Sequence, residues 1–363
     1  MPHDPYRARR SRLLALVKQA EVDAVLVSHP PNVRYLTGFT GEDSQLLIGP
    51  KHCVLLSDSR FTTQIAQECP DLEAEIRTSR ILMPDFVAQA LQQRRLRRVG
   101  FEAAYLSFAS HQVLTSKAEG VTCVPIKGLV ESLRRIKDRD EVAAIRRAIA
   151  QAERGLAVVR ALALPEMTER EIAHELEHAM RRFGALRAAF EPIVGVGPQS
   201  ALPHYRAGLV PLQEAGFVLI DWGAVEAGGY HSDLTRVWGT SKIPPKLERL
   251  HRVVSEARAA ALRLMRAGTA CKTVDAAARQ VIADAGFEKY FGHGLGHGIG
   301  LEIHEEPRLS PISEDTLEPG MIVTVEPGIY LPGIGGVRLE DDVLITNDGP
   351  EVLSTVPLGL SLS

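Results

Sequence analysis

Two domains are expected from the sequence, an α/β layer domain over residues 1–128 and an α+β domain over 129–363. Three observations predict them. Apolar runs of strand length alternate with helical patterns through the first third of the chain, as in layered α/β units. A long amphipathic helical pattern then starts near Asp138. Beyond it, strand patterns dominate 188–239 and 319–346, and helical patterns recur at 244–266 and 273–286, which reads as helices packed with largely antiparallel strands.

Element by element, residues 7–20 carry Leu13, Leu14, Val17 and Ala20 at helical spacing. DAVLVSH (23–29), QLLIG (45–49) and CVLLSD (53–58) are buried-strand runs, the last two separated by the turn Gly49–Pro50. RFTTQIAQE (60–68) has a helical pattern and RVGFE (98–102) a strand pattern. In the long helix, Val142, Ile145, Ile149, Ala152 and Leu156 share one face, and Asp138 with Glu141 makes a capping-box start. Pro165 interrupts the pattern, and Thr168 with Glu171 opens the next helix.

A chain of 363 residues has ample length for two cores. Its net charge of -3 offers no basic footprint for nucleic acid. No apolar run approaches the ~18 residues of a membrane-spanning helix. The first residues lack the uninterrupted apolar stretch and small-residue cleavage site of a signal peptide, so a cytoplasmic protein is expected. Cys53, Cys69, Cys123 and Cys271 lack CxxC spacing and read as reduced core thiols.

The chemistry concentrates in the last third. Asp221, Asp233, His297, Glu326 and Glu340 each sit in a short strand-like segment. Four carboxylates at one point repel unless cations neutralise them. A pair of carboxylate-bridged divalent ions is the simplest explanation, and such a pair makes a nucleophilic hydroxide from water at neutral pH. Asp221 and Asp233 flank the turn-prone Glu226–Ala227–Gly228–Gly229, so a hairpin can present both on one face. Two surface aspartates beside a turn would give the same pattern, but Asp221 ends the apolar run Phe217–Ile220, where a lone carboxylate is costly. Glu326 and Glu340 lie inside apolar strand runs and need partners, either cations or Arg338.

His293, His297 and His304 fall in a run dense in glycine, with Leu295, Ile299, Leu301 and Ile303 interleaved, which suits close backbone approach better than a floppy loop. His297 is assigned to metal, and His293 and His304 to proton handling. A rival signature, His174–Glu175–Leu176–Glu177–His178, matches H-E-x-x-H. Its histidines fall opposite the apolar stripe of Ile172, Leu176, Ala179, Met180 and Phe183, so they are expected in solvent.

VRYLTGFTG (33–41), LLSDSRFT (55–62), VESLRRIKDRDEVAAIRRA (130–148), ALPHYRAG (201–208), GHGLGHGIGLEIHEEP (292–307) and VRLEDDV (337–343) together resemble the pita-bread metallopeptidases, in the branch of prolidases and Xaa-Pro aminopeptidases. The resemblance covers essentially the whole chain. It implies a creatinase-like amino-terminal domain and a pita-bread catalytic domain. It further implies that Asp221 chelates one ion, that Asp233 and Glu340 bridge two, and that His297 and Glu326 complete the second. By the same resemblance His204, His293 and His304 surround the substrate, and Arg338 orients groups near the leaving side or supports Glu340. The interval from Asp221 to Asp233 is one residue longer than the usual family spacing, and the Glu226–Gly229 turn is expected to absorb it as a longer loop or a bulge.

The expected reaction is hydrolysis of the bond before proline, with two Mn, Co or Zn ions and a bridging hydroxide. His304 would donate to the oxyanion and Glu326 carry the proton. Arg308, four residues after His304, could grip a C-terminal carboxylate, and Asp43 in the loop Gly41–Gln45 could meet the substrate's ammonium from a neighbouring subunit of a homodimer. Both favour a dipeptidase. The competing readings are an aminopeptidase for longer peptides, a metal-independent creatinase-like amidinohydrolase, a non-catalytic binding protein of this fold and, least favoured, a methionine aminopeptidase.

Overall fold

The computed structural model describes residues 4–360. The chain forms two compact units, Met1–Arg134 and Arg135–Ser363.

The first unit is a six-stranded sheet of β1 (Ala24–Val27), β2 (Gln45–Gly49), β3 (His52–Asp58), β4 (Glu73–Arg77), β5 (Arg98–Glu102) and β6 (Thr122–Ile126), in the order β4-β3-β2-β1-β5-β6. The β1–β2 and β2–β3 pairs are antiparallel, and β3–β4, β1–β5 and β5–β6 are parallel. A layered α/β unit results, as the alternating pattern predicts. Leu26, Leu47, Val54 and Leu56 pack under the helix Met83–Gln93 through Val87 and Leu91. The helices Pro30–Thr37, Met83–Gln93 and Phe108–Lys117 and the strands β4 and β6 add to the elements read from sequence.

The second unit opens with the helix Arg139–Leu162. Its capping box is formed: the Asp138 side chain accepts from the Glu141 N–H and the Glu141 side chain from the Asp138 N–H, both at 3.0 Å. Ile145, Ile149, Ala152 and Leu156 are buried as the periodicity predicts, and Val142 is half-buried. The helix Glu169–Arg182 has the second capping box, from Thr168 and Glu171. His174 and His178 are exposed on it while Ile172, Leu176, Ala179 and Met180 are buried. The H-E-x-x-H run therefore lies on a solvated helix face.

Twelve strands follow: β7 (Arg187–Ala188), β8 (Ile193–Val196), β9 (Phe217–Trp222), β10 (Ala224–Val225), β11 (Leu234–Gly239), β12 (Gly296–Gly298), β13 (Glu305–Leu309), β14 (Ile322–Val325), β15 (Gly328–Leu331), β16 (Gly335–Arg338), β17 (Asp341–Thr346) and β18 (Gly349–Val352). The main sheets are β11-β9-β8 and β13-β12-β14-β17-β18, antiparallel throughout. The helices Pro245–Leu264 and Cys271–Asp284 cover them, burying Leu250, Val254, Ala257, Val274 and Ile282 against Val323, Val325, Val343 and Ile345. Each fully buried Leu, Ile or Val stabilises this layer by about 1.5–3 kcal/mol.

Register decides where the acids meet. In the β9–β11 ladder Trp222 pairs with Leu234 and Asp221 with Thr235. The same register runs on through the Val225–His231 bridge to Glu226, whose N–H donates to Tyr230 O at 3.0 Å. Ala227, Gly228 and Gly229 remain as a three-residue loop, so the long interval is taken up at the tip without a bulge. In the β14–β17 ladder Thr324 pairs with Asp342 and Val325 with Asp341, so one further rung sets Glu326 opposite Glu340. An isolated Thr235–Glu340 bridge ties the two ladders together.

Candidate active site

Side chains on one strand face recur every second residue. Asp233 therefore shares its face with Thr235, the ladder partner of Asp221, and the two aspartates stand diagonally across the pair. The Glu340 N–H donates to Thr235 O at 3.1 Å, and the Thr235 hydroxyl donates to Glu340 Oε2 at 2.6 Å. Thr235 is thus a clamp between the segments that carry Asp233 and Glu340. It went unread in the sequence, although its place two residues after Asp233 marks the shared face.

His297 reaches the same point from β12. A side chain at Gly296 would put its Cβ 2.0 Å from Thr324 O, so only glycine allows β12 to lie this close to β14. The His297 N–H donates to Thr324 Oγ1 at 3.1 Å, and the hydroxyl of Thr324 donates to Glu326 Oε1 at 3.3 Å. His297 Nε2 lies 3.6 Å from Asp233 Oδ2 and 3.4 Å from Glu326 Oε1, while Nδ1 faces Gly298 O at 3.0 Å. A backbone carbonyl at Nδ1 favours the tautomer that leaves Nε2 free as a ligand. One ligand atom each from Asp233, His297 and Glu340 lies within 4.8 Å of the others.

Asp221 completes the acidic set. Its Oδ2 accepts from Arg338 Nη2 at 2.5 Å, and its buried Oδ1 has no hydrogen-bond donor among the described residues. Arg338 also donates to Thr235 Oγ1 at 3.0 Å and to the Tyr330 hydroxyl at 2.8 Å, so it braces Glu340 through Thr235. His293 Nε2 lies 2.9 Å from the same hydroxyl, and its Nδ1 lies 4.0 Å from Glu326 Oε2. The neighbours of Glu340 act elsewhere. Asp341 is paired with Arg236 at 2.7 Å and with Arg258, and Asp342 accepts the Asp233 N–H at 3.1 Å.

Electrostatics agrees with a cation-binding centre. Asp221, Asp233 and Glu340 are buried, and one guanidinium, Arg338, stands among them. Burial, then repulsion from Glu340 and Asp221, drives the Asp233 carboxyl well above its ordinary range. Burial and Glu326 do the same to Glu340. Burial pushes Glu326 up to about 8 and His297 down to about 3. Protons occupy such a cluster only where cations do not, and metal binding would release them. The unpaired Asp221 oxygen and the hard, oxygen-rich donor set fit divalent ions.

These groups line the floor of a cavity of about 610 Å³. Asp221, Asp233, His204, His293, His297, His304, Arg308, Glu326, Arg338 and Glu340 all contribute to its wall, with Phe190, Ile193, Pro203, Tyr205 and Ile303 as the apolar part. The His304 ring sits edge-on to His297, with centroids 4.4 Å apart. Arg308 is the ladder partner of His297 and is exposed. Asp43 belongs to the first unit and is not among the lining residues. There its carboxylate pairs with Arg60 at 2.7 Å, and its φ is 53°.

A floor of four carboxylates and one imidazole under a half-apolar cavity defines a class, the metal-dependent hydrolytic enzymes. Residues 143–347 match metallopeptidase family M24, and residues 9–136 match the Creatinase/Prolidase N-terminal domain. The chain belongs to metallopeptidase family M24, in the two-domain arrangement of a creatinase-type amino-terminal domain and a pita-bread catalytic domain. An Xaa-Pro dipeptidase of Pyrococcus horikoshii is 32% identical over 94% of this chain and 95% of its own. Among solved structures, an Xaa-Pro dipeptidase from Bacillus anthracis superposes with a TM-score of 0.93 at 36% identity, covering 98% of this chain and 99% of that one. An X-Pro aminopeptidase from Thermotoga maritima does so at 0.88 and 34%, covering 97% and 99%. Among the described residues no helix is long and apolar enough to cross a membrane.

Proposed function

We propose that the protein hydrolyses Xaa-Pro bonds as a prolidase-type dipeptidase that uses two divalent cations. The carrying observation is the meeting of Asp221, Asp233, Glu326, Glu340 and His297 on one cavity floor, with an unpaired Asp221 oxygen among them. Relatives named for Xaa-Pro cleavage support the bond type. Asp221 with Asp233 and Glu340 would hold one cation, and His297 and Glu326 with the same Asp233 and Glu340 the other. Mn, Co or Zn suits oxygen ligands with one imidazole. Cations held there supply Lewis acidity and a water of lowered pKa.

The chain's own groups do the rest. Glu326 takes the proton of the attacking water and delivers it to the leaving proline nitrogen. His304, edge-on to His297, donates to the oxyanion as it forms. His204 contacts the scissile region from the opposite loop. Burial, with the positive charge of Arg338 nearby, pushes His293 down to about 4, so its neutral ring can exchange a hydrogen bond with Tyr330. Proline fixes φ and lacks an N–H, and the apolar wall of Phe190, Ile193 and Pro203 asks for no such donor.

Length selectivity is assigned to Arg308 and Asp43. Arg308 is placed to grip the carboxylate of a terminal proline. Asp43 would meet the ammonium end across a homodimer. Either residue changed to Ala should raise KM for Ala-Pro, by about tenfold for Arg308. An unchanged KM removes that residue from the site.

The second reading, cleavage of longer peptides, is favoured by the likeness to the Thermotoga maritima aminopeptidase. The deciding assay strips the protein with chelator, restores Mn²⁺, and offers Ala-Pro and Ala-Pro-Ala. Metal-restored cleavage of Ala-Pro alone is expected. Tripeptide cleavage transfers the assignment to an aminopeptidase, and no restored cleavage of either leaves a non-catalytic binding protein.

A further inference from the structure

In the loop that carries His204, Tyr205 packs against the apolar core while its neighbours are exposed or half-buried. Residues 202–208 run from the end of the 3-10 turn Gly197–Ala201, and none of them is fully buried. Leu202 is 55% exposed, and the one ion pair of Arg206, with Glu191 at 3.9 Å, joins two exposed side chains. Yet Pro203, His204, Tyr205 and Arg206 all face the cavity, where a small displacement changes what His204 can reach.

One carboxylate outside the cavity collects hydrogen bonds from the loop and from the strand before it, beside a longer one at 3.5 Å from Arg338 Nη2 to Pro203 O. Glu169, at the first position of the helix Glu169–Arg182, has no exposed surface. Its Oε1 accepts the Val196 N–H at 2.8 Å, just ahead of the loop. Its Oε2 accepts the Tyr205 hydroxyl at 2.8 Å and the Gly208 N–H at 3.0 Å. The three donors come from before, within and at the end of the loop. Two backbone bonds reinforce the last: Arg170 N–H to Gly208 O and Glu169 N–H to Val210 O, both 3.0 Å. A Cβ at Gly208 would sit 2.6 Å from the Tyr205 oxygen, so any larger residue there would push the hydroxyl off its place against Glu169. A helix N-terminus suits the negative charge, and a carboxylate with three donors holds them more strongly than a neutral acceptor.

We propose that Glu169 is a positioning residue for the peptidase site: it holds the 202–208 loop so that His204 stands over the ligand cluster. The proposal rests on the reading of His204 as a substrate-contacting group. Glu169→Gln keeps the size but turns an N–H₂ towards one of the donors.

The test is a double-substitution cycle of Glu169→Gln with His204→Ala, assayed on Ala-Pro with saturating Mn²⁺, with metal content and thermal midpoint recorded for each protein. The expected result is a loss in kcat/KM of about tenfold or more from Glu169→Gln alone, carried by kcat, with metal content unchanged. In the His204→Ala background the same change should cost less than about twofold. Tyr205→Phe, which removes one donor and leaves Glu169 its two N–H partners, should show the same pattern at smaller size. It also serves if Glu169→Gln fails to fold. An equal loss in both backgrounds overturns the positioning role while leaving His204 in the site. A His204→Ala enzyme as fast as the parent overturns the His204 reading itself.

Discussion

Glu340→Gln should lower the divalent metal held per chain and reduce kcat on Ala-Pro by about three orders of magnitude, roughly 4 kcal/mol of lost transition-state stabilisation. The substitution keeps the side-chain length and an oxygen for the Thr235 hydroxyl, so the bridge between the ladders can persist. What goes is a negative charge beside those of Glu326 and Asp221, in the cluster proposed to hold the cations. Glutamine binds such ions weakly and cannot be shared between two of them as a carboxylate can. Metal analysis beside the rate separates this from a local distortion. Full metal content with a rate within about tenfold of the parent would remove Glu340 from the ligand set.

Lys137→Met should cost about 3–5 kcal/mol of stability, more than any surface change, because it takes the ammonium away from a buried carboxylate. Lys137 Nζ lies 3.1 Å from Glu305 Oε2, with side-chain exposures of 1% and 6%. Glu305 also accepts the Glu302 N–H at 3.2 Å, and it directly follows His304. For a domain of this size the loss amounts to a drop on the order of 10 °C in the melting midpoint. Lys137→Met combined with Glu305→Met should regain much of it, since the buried carboxylate goes together with the ammonium. Thermal unfolding of the single and double variants checks both statements. A single variant that melts within about 2 °C of the parent would show that the pair carries little.

The candidate site was legible in part because its carboxylates are hard to explain as isolated charges. A carboxylate between Val325 and Pro327, or between Leu339 and Asp341, sits in an apolar run where isolated charge is expensive, and that cost is visible without coordinates. The capping boxes at Asp138 and Thr168 and the solvated His174 and His178 followed from spacing alone. The supporting groups did not. Thr235, Thr324, Tyr330 and Glu169 act through partners 27 to 105 residues away or through folded proximity, and nothing in their own segments distinguishes them from ordinary strand or helix residues. Asp43 drew notice for its charge, and only coordinates reveal that Arg60 already holds it. The amino-terminal strands β4 and β6 are half-exposed edges of their sheet, so their apolar signal is weak.

The hairpin that presents Asp221 and Asp233 has a further implication for how such chains diverge. Its register is the same from the Trp222–Leu234 pair through the Val225–His231 bridge to Glu226 and Tyr230, and three residues lie beyond. Lineages can therefore lengthen or shorten the tip without moving either acid. The fold thus leaves the count of residues between the two aspartates free to change, whereas the parity of their positions along the strands is fixed by the shared face. A search pattern that fixes the count will discard true members, and one that fixes the alternation will keep them.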